Sequence, residues 1–570
     1  MNARSTRHLS ASGPIMKSSS SLPVSADFVP SSYLRTTSAV TKTIPQARWV
    51  RVTGALVLAV GIGLRLARWL DPRPLWLDEA WIALNVLART PLGFLRPLDY
   101  EQMSPLGFLW AEWVVTRIAG YGERAFRLVP LIAAIVSLIV FARLARRMLP
   151  ASMALLATML AALSPLLVYY SAETKSYVFD WLCAIVLMHA TLTVAEKPSD
   201  DAWVRWGLAA AFGALFSTAA PFFIGACALA AFMTSGNRNS PRALLRVAAA
   251  GTPAVLVFGL HLLTVYQSSS TESYMRLYWA ETFLEPSISE GLIRARKLAR
   301  EFWSSVLFGG VILDALPGKT ITSIVVCCGV GTFAIGRRSL ARATMLLGAG
   351  MLAALASFGH WWPLTPRLLL FAAPAVLITL PAGLAAIAGL VSRKARGPML
   401  AILSVTLGAT AAVGLVREEY RINDRFMPVR EALREIGARA TEEATIYVAW
   451  DLEPACIYYL AWHPGRSELN GDPGSRSCTL RGTRSVIGSR PEYVGLAPGA
   501  ATFTATTLRP QWLEREVHRI LEQTGGELWV VLGLPRRLRA TLPEWLEESG
   551  ALRLSGKEAR QIHILKYARR

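Results

Sequence analysis

Long apolar runs constrain this chain more than any other feature. A helix that crosses a bilayer needs about 20 mostly apolar residues, and by that criterion the sequence predicts about eleven spans. The predicted runs are Val52–Leu70, Leu128–Ala142, Ser152–Tyr170, Val178–Ala195, Trp203–Met233 (two spans, folding back at Pro221), Val247–Tyr266, Thr320–Ile335, Ala343–Phe358, Leu368–Leu390 and Met399–Val416. Charged residues make up only 17% of the chain, against roughly 25% in an average soluble domain. The chain is therefore predicted to be an α-helical polytopic membrane protein.

Basic residues between the predicted spans indicate the orientation. They cluster at 143–147, 238–246, 337–342 and 393–396. An even number of predicted spans separates neighbouring clusters, so all four are expected on one face, which the positive-inside rule makes cytoplasmic. The Ser-, Thr- and Arg-rich tail 1–48 falls on that side and has too little apolar surface to fold, so it is predicted to be disordered. The net charge of +21 is then explained by loop anchoring and by attraction to lipid headgroups, and no nucleic-acid partner is expected.

Four arginines fall near the opposite face and do not fit that rule. Two interpretations stay open: the side chains snorkel from helix ends to the membrane surface, or they attract an anionic ligand. The residues are Arg65, Arg68, Arg124 and Arg127.

Three segments share the external side on this topology: the first loop 71–127, the segment 267–319, and everything from 417 onward. The last segment contains two strand-like runs, TIYVAW and ELWVVL, and the amphipathic stretches Pro428–Thr441 and Pro510–Gln523. We therefore expect a transmembrane domain at 49–416 and a soluble extracytoplasmic α/β domain at 417–570. Cys456 and Cys478 lie in that domain, where a disulfide could persist, and the sequence does not decide whether they pair.

Two adjacent acids, Asp78 and Glu79, stand in the apolar stretch PLWLDEAWIAL of the first external loop. Apolar residues recur at helical spacing from Leu77, which predicts an amphipathic helix on the membrane surface with both acids in its first turn. Capping and solvation of that helix would explain the acids. However, carboxylates at a lipid boundary are costly unless they face a cavity or a cation, which favours a functional role.

Two basic residues are expected on the same face. Lys175 lies in the turn YYSAETKSY, where Ser171 is expected to cap the following helix and Lys175 to project at the membrane surface. Arg367 begins a span after the proline-containing stretch HWWPLTP, and an arginine can fork onto phosphate oxygens. The alternative for both residues is interfacial anchoring.

The order of these parts resembles the GT-C superfamily of integral-membrane glycosyltransferases, in the branch of the protein O-mannosyltransferases and the aminoarabinose transferase acting on lipid A. Four stretches carry the resemblance: RPLWLDEAW, QMSPLGFLWAEW leading to GERAFRLVP, SAETKSY, and PLTPR. Lys175 stands where relatives often carry arginine, and SPLG lacks an aromatic residue that often follows the Pro-Leu pair.

The resemblance implies an inverting transfer of a sugar from a polyprenyl-phosphate-linked donor to a glycan, lipid or protein acceptor on the extracytoplasmic face. Asp78 would be the catalytic base and Glu79 its neighbour, and Lys175, Arg367 and Arg127 would bind the donor phosphate. Further residues would line the substrate pocket, namely Gln102, Glu173, Tyr177 and His360. Some relatives need a divalent metal such as Mg²⁺ or Mn²⁺ and others do not, so metal use stays open, with Asp78 as the expected ligand.

The resemblance also implies a bacterial inner-membrane location, with a cytoplasmic N-terminus and a periplasmic C-terminal domain. Two other functions remain open: a lipid or polysaccharide transporter or flippase, and a non-catalytic binding protein of the same fold. The sequence argues modestly against transport, because it has no internal repeat of broken helices and few charges in mid-span.

Overall fold

The structure is a computed structural model. It describes the following residues: 48–234, 241–266, 279–285, 287–309, 318–423, 429–465, 478, 483–489, 493–494, 507–533, 536–559 and 562–569. The prediction of a disordered tail at 1–48 therefore lies almost wholly outside the described residues.

Helices dominate the chain as far as Asn423. They are α1 (Arg48–Leu70), α2 (Leu77–Ala88), α3 (Leu106–Ala119), α4 (Glu123–Phe126), α5 (Leu128–Met148), α6 (Ala151–Leu163), α7 (Pro165–Tyr169), α8 (Tyr177–Glu196), α9 (Asp200–Phe216), α10 (Ala220–Thr234), α11 (Pro241–Leu263), α12 (Ile288–Leu307), α13 (Gly318–Arg338), α14 (Leu340–Phe358), α15 (Ala373–Ala388) and α16 (Arg393–Asn423). Short 3₁₀ turns at Pro91–Leu95, Asp99–Glu101, Tyr170–Ala172, Ala280–Thr282 and Pro366–Ala372 connect some of them.

Eight of the described helical segments are long and apolar enough to cross a membrane, so the chain is a multi-pass membrane protein. The bent pair α6–α7, with a 52° bend, makes a ninth if it is one span. The prediction of about eleven spans also counted α9 and α10, which have 17 and 15 residues. A non-helical break at residues 217–219 separates these two helices, and Pro221 is the second residue of α10. Because α9 and α10 are shorter than a typical span, length and composition do not decide whether they cross the membrane, and the number of spans stays open.

Basic loops meet at one end of the bundle. Glu196, at the end of α8, accepts from Arg147 Nη2 at 2.8 Å and lies 3.5 Å from Arg342 Nη2. Two of the four predicted clusters therefore share a face, as their spacing indicated. Arg238 of the second cluster lies outside the described residues.

A buried arginine supports the bend between α6 and α7. Pro165 has no N–H group, so the carbonyl of Ala161 loses its helical partner. Arg65 replaces that partner: Nη2 donates to Ala161 O at 3.2 Å, and Nη1 donates to Ala162 O at 3.2 Å and to Gly61 O at 2.9 Å. Arg65 is 0% exposed, so it neither snorkels to the surface nor meets a ligand.

Replacing this arginine should destabilise the protein through the bend. We expect Arg65→Met to lower the melting temperature in detergent, because each buried carbonyl left unpaired costs about 1–3 kcal/mol. Adding Pro165→Ala should recover part of the loss, because the alanine N–H can bond Ala161 O. A single variant as stable as the wild type would contradict this role.

The other arginines near that end also contact protein groups. Arg68 is buried and pairs with Glu419 at 2.5 Å, and Arg124 is exposed and donates to Leu70 O at 2.9 Å. Arg127 is buried in the site described below. Snorkelling is therefore the wrong interpretation for Arg65, Arg68 and Arg127.

The C-terminal part is a small α/β domain, as predicted. Its five-stranded sheet has the order β2-β1-β5-β7-β6, parallel from β2 to β5 and antiparallel at β7 and β6, and β3 pairs with β4 separately. The strands are β1 (Thr445–Val448), β2 (Arg484–Ile487), β3 (Tyr493–Val494), β4 (Thr507–Leu508), β5 (Glu527–Leu532), β6 (Ala551–Ala559) and β7 (Ile562–Arg569). The helices are α17 (Val429–Arg439), α18 (Glu453–Ile457), α19 (Pro510–Gln523) and α20 (Arg536–Glu548), with a π-helical turn at Tyr458–Trp462. Cys456 and Cys478 form a disulfide, with Cα atoms 5.4 Å apart.

This domain packs on the loop 71–127. The Leu75 N–H donates to Tyr459 Oη at 2.7 Å, and the Tyr458 hydroxyl donates to Tyr121 O at 2.6 Å. Glu123, at the start of α4, pairs with Arg430 at 2.9 Å and with His463 at 3.0 Å. The domain therefore covers the segment that carries the paired acids.

Candidate active site

The helix that carries the acids begins where the sequence predicted it but is not a surface helix. Eight of the twelve residues of α2 are buried, and Trp81 packs near Trp450 of the C-terminal domain, with ring centroids 6.5 Å apart. Glu79 helps to start the helix, because its Oε2 accepts from the Trp76 N–H at 3.2 Å. The prediction of an amphipathic helix on the membrane surface is therefore wrong, since the loop and the C-terminal domain cover its apolar residues.

Asp78 faces a cation. Arg367 Nη1 lies 3.3 Å from Asp78 Oδ2, and both side chains are 19% exposed. Arg367 stands at the start of the span Pro366–Ala388, where the sequence predicted it, and its guanidinium lies 4.8 Å from the centre of the Trp279 ring. The contact joins the first loop to a span almost three hundred residues later in the chain.

Lys175 lies beside this pair but does not project at the membrane surface as predicted. It is 9% exposed, and its Nζ donates to Gln102 Oε1 at 2.7 Å. Burial lowers the pKa of Lys175; the charge of Asp78 opposes that shift, and the charge of Arg367 adds to it. The three charged groups are therefore close enough to interact. Ser171 does not cap the next helix, because its hydroxyl donates to Val168 O at 2.6 Å.

Glu79 is closed off from any substrate. It is 0% exposed, and Arg127 donates to both of its oxygens, from Nε at 2.9 Å and from Nη2 at 2.6 Å. Thr174 adds its N–H at 3.0 Å and its hydroxyl at 3.2 Å. Burial opposes ionisation of Glu79, but the charge and hydrogen bonds of Arg127 outweigh it and lower the pKa of Glu79.

Arg127 connects the acid helix to the loop before it. Besides Glu79, its Nη1 donates to Arg73 O at 2.8 Å and its Nη2 to Pro74 O at 3.0 Å. The side chain is 1% exposed. Glu79 and Arg127 therefore hold together the segment before α2, the start of α5 and the turn that carries Lys175.

A second buried pair, which the sequence analysis missed in part, lies against the first. Arg73 Nη1 is 3.9 Å from Glu173 Oε1, and the Trp76 indole N–H donates to Glu173 Oε2 at 3.2 Å. Burial and then the charge of Glu79 raise the pKa of Glu173 to about 7, against the opposing charge of Arg73. Burial and then the charge of Arg127 lower the pKa of Arg73 to about 9. One sequence signal could have indicated Arg73: it is a charged residue in an apolar part of the loop, five residues before Asp78.

The remaining predicted pocket residues differ in their surroundings. Gln102 is buried against Lys175, and the ring of Tyr177 packs edge-on against Tyr170, with centroids 5.2 Å apart. His360 is exposed, has a positive φ of 55°, and packs its ring against Phe283. Within the described part of the chain, His360 makes no hydrogen bond or ring contact with Asp78 or Arg367.

The surroundings of Asp78 do not suit a divalent metal. Hard cations such as Mg²⁺ prefer several oxygen ligands. The neighbours of Asp78 are instead Arg367 and Lys175, and the described residues contain no group of three or more His, Cys, Asp or Glu side chains that could hold a metal ion. The residues present therefore do not fit such an ion, and no step below uses one.

Comparisons with known proteins found a matching family model and similar solved structures. Residues 103–263 match the model of a family described as dolichyl-phosphate-mannose-protein mannosyltransferase. The chain is also similar to two crystal structures of ArnT from Cupriavidus metallidurans. For the apo state the identity is 12% and the TM-score 0.45, with coverage of 91% of this chain and 97% of that one. For the state bound to undecaprenyl phosphate the identity is 13% and the TM-score 0.47, with coverage of 91% and 98%.

No curated protein matches the chain. The family match covers the end of the first loop through α11 and includes the turn with Lys175. This part of the chain is thus similar to that family of membrane glycosyltransferases, in agreement with the resemblance expected from the motifs.

Proposed function

We propose that this protein transfers a sugar from a polyprenyl-phosphate-linked donor to an acceptor at the extracytoplasmic face of a bacterial inner membrane. The description of the matched family names a dolichyl-phosphate donor, which is a polyprenyl phosphate. The observation that carries the proposal is the pair Asp78–Arg367, in which a partly exposed carboxylate and a partly exposed guanidinium lie 3.3 Å apart, with Lys175 in electrostatic range. A base and the counter-charge for a phosphate thus stand side by side.

The transfer is a single displacement. Asp78 takes the proton of an acceptor hydroxyl or amine as that group attacks the anomeric carbon of the sugar. The bond between the anomeric carbon and the phosphate oxygen breaks, and polyprenyl phosphate leaves with the electron pair. Attack opposite the leaving group inverts the anomeric configuration. Arg367 and Lys175 stabilise the charge that develops on the leaving phosphate.

Asp78, rather than Glu79, is the acid that can touch substrate. A general base must reach the proton that it removes, and Asp78 is 19% exposed whereas Glu79 is fully buried among five hydrogen bonds. We assign Glu79 and Arg127 to positioning: they anchor the first turn of α2, and with it Asp78. Arg127 is thereby moved from the phosphate site in which the motif resemblance put it.

The extracytoplasmic orientation rests on charge. The site lies where α1 ends and α8 begins, whereas Arg147 and Arg342 meet Glu196 at the other end of α8. The positive-inside rule assigns that arginine-rich end to the cytoplasm. The site and the C-terminal domain then face the periplasm. The acceptor is a hydroxyl- or amine-bearing glycan, lipid or protein.

The phosphate site can be tested by variants of its arginine. We expect Arg367→Met, in purified protein reconstituted in nanodiscs, to lower transfer from labelled polyprenyl-phosphate sugars by about 10²–10³-fold, because a preplaced cation is lost from the leaving group. Binding of sugar-free polyprenyl phosphate should weaken as well. Arg96→Met, an exposed arginine of the same loop, is the matched control and should change neither measurement.

The same assay separates the three functions. Covalent transfer of the label to an acceptor supports the enzyme. Movement of intact donor across vesicles without transfer would instead indicate a transporter. Saturable binding with no transfer from any sugar donor would indicate a non-catalytic relative, and either result would overturn the proposal.

A further inference from the structure

Four buried polar side chains on neighbouring elements of the membrane domain each have one atom without a hydrogen-bond partner. The atoms, among the residues that the structure describes, are Ser104 Oγ, Asp180 Oδ2, His261 Nδ1 and Tyr266 Oη. Asp180 and His261 are 0% exposed, and Ser104 and Tyr266 are at most 8% exposed. Native proteins leave few such atoms unpaired, so a group of them calls for a partner that the chain itself does not supply.

Contacts within the fold bring these side chains together. The Leu106 N–H donates to His261 Nε2 at 3.0 Å, and the Tyr266 ring stacks on the His261 ring, with centroids 5.3 Å apart. Burial and then the charge of Asp180 raise the pKa of Tyr266, so the phenol and the carboxylate are electrostatic neighbours. Asp180 uses its other oxygen, Oδ1, to accept from the Ser217 hydroxyl at 2.5 Å.

Close packing of α3 on the end of α9 adds Ser104 to the group. A Cβ atom at Gly107 would lie 2.8 Å from Leu215 O, so the glycine lets the start of α3 approach the residues just before Ser217. Ser104 stands two residues before Leu106 on the same segment. The group therefore lies where α3 begins, where α9 and α11 end, and in the first turn of α8.

The unpaired atoms match hydroxyl or amino groups better than other ligands. Because Nε2 of His261 accepts a hydrogen bond, Nδ1 of the neutral ring carries the proton and donates. Asp180 Oδ2 only accepts, and the Ser104 and Tyr266 hydroxyls can do both. A metal ion would meet only one carboxylate and an N–H that repels it, and an apolar ligand would leave all four atoms unpaired. A small ring with several hydroxyl or amino groups can pair with each of them.

The group adjoins the proposed phosphate site. Gln102, which holds Lys175 Nζ at 2.7 Å, lies two residues before Ser104, a distance of about 7 Å at most. Asp180 follows Lys175 by five residues and lies in the first turn of α8, where it is 0% exposed. A sugar joined to a phosphate at Lys175 is thus the polyhydroxyl group nearest to these side chains.

We propose that Ser104, Asp180, His261 and Tyr266 form the pocket that binds the donor's sugar and so determine which sugar is transferred. This inference rests on the proposed function, because it requires a sugar carried on a polyprenyl phosphate. The pocket binds the sugar's hydroxyl or amino groups, and the phosphate site binds the phosphate of the carrier lipid. Selectivity among sugars and affinity for the carrier are therefore separable properties.

Tyr266→Phe and Ser104→Ala test the pocket with little risk to folding, because each removes a hydroxyl that has no hydrogen-bond partner among the described residues. Two probes are compared, one with a sugar and one without. The sugar-bearing probe is polyprenyl-phosphate mannose, replaced by whichever polyprenyl-phosphate sugar supports transfer if mannose does not. The sugar-free probe is polyprenyl phosphate. We expect each variant to weaken equilibrium binding of the sugar-bearing probe about tenfold, as for the loss of one hydrogen bond, and to leave the sugar-free probe unchanged. Tyr567→Phe is the control, because its buried hydroxyl also has no partner within the described part of the chain but lies in the C-terminal sheet.

Three results would overturn the pocket. Unchanged binding of the sugar-bearing probe in both variants would mean that the hydroxyls touch no sugar. An equal loss for both probes would mean that they serve the carrier lipid. A raised KM for the acceptor with unchanged donor binding would assign the pocket to the acceptor. By contrast, failure of the wild type to bind either probe would defeat the proposed donor class itself.

Discussion

Asp78→Asn is expected to lower transfer by about 10²–10⁴-fold while polyprenyl phosphate binds as tightly as to the wild type, or more tightly. The amide cannot take the acceptor's proton, so the chemical step slows. It also no longer competes for Arg367, which lies 3.3 Å from Asp78 in the free protein, so the guanidinium becomes more available to the phosphate. Initial rates with labelled donor, and equilibrium binding of the sugar-free lipid, measure the two effects.

Asp201→Asn is the matched control for this prediction. Asp201 also belongs to an adjacent acidic pair in the first turn of a helix, α9, but it is exposed. It follows the end of α8 that lies opposite the candidate site. We expect it to change neither the rate nor the binding. Turnover of Asp78→Asn at the wild-type rate would remove Asp78 from the mechanism, and a parallel fall in rate and lipid binding would reassign it to the phosphate site.

Arg127→Met is expected to destabilise the protein by about 3–5 kcal/mol, because it leaves Glu79 ionised and buried without its partner. Arg127→Lys should recover little of this loss, since lysine cannot reproduce the two bonds to Glu79 together with the bonds to Arg73 O and Pro74 O. Thermal unfolding in detergent measures the change. The double variant Arg127→Met with Glu79→Gln should be more stable than Arg127→Met alone, because no charge is then buried.

The pH dependence of the Arg127→Met defect has a definite sign. In the wild type, Arg127 holds the pKa of Glu79 below its ordinary value of about 4.3, so the pair's contribution is complete above that pH and is lost below it. Without Arg127, burial is the largest remaining influence and raises the pKa of Glu79. The variant should therefore lose stability as pH rises above about 4.3. A gap between variant and wild type that is as large at pH 5 as at pH 7 would contradict this account.

Local sequence patterns predicted most of the helices and strands. They predicted little about what each helix or strand packs against. Apolar run length indicated the membrane helices, and the strand-like runs TIYVAW and ELWVVL indicated β1 and β5. The helical spacing from Leu77 was also correct, yet the predicted surface location was wrong. A periodic pattern reports one apolar face, and that face packs equally well on lipid or on protein.

The motifs named residues that lie close together, but not the contacts that each of them makes. The motifs named Asp78, Lys175 and Arg367, and the structure brings all three together. They did not reveal that Glu79 is buried and Asp78 partly exposed, because adjacent residues on a helix point in different directions and only the packing decides which one is buried. They also did not reveal Arg73 as a neighbour of Glu173, or Tyr459 as the acceptor for Leu75 N–H, because these contacts cross large sequence separations.

By itself, the sequence determined that this protein spans a membrane many times and that a small α/β domain follows, and it singled out the paired acids and the distant cations as candidate site residues. Such properties follow from apolar length, strand and helix periodicity, and short motifs, which are all local. Only the tertiary structure decided which acid is exposed, which arginines are held by carbonyls or carboxylates, and where buried polar atoms remain unpaired. Burial and hydrogen bonding depend on residues far apart in the chain, and no local pattern specifies them.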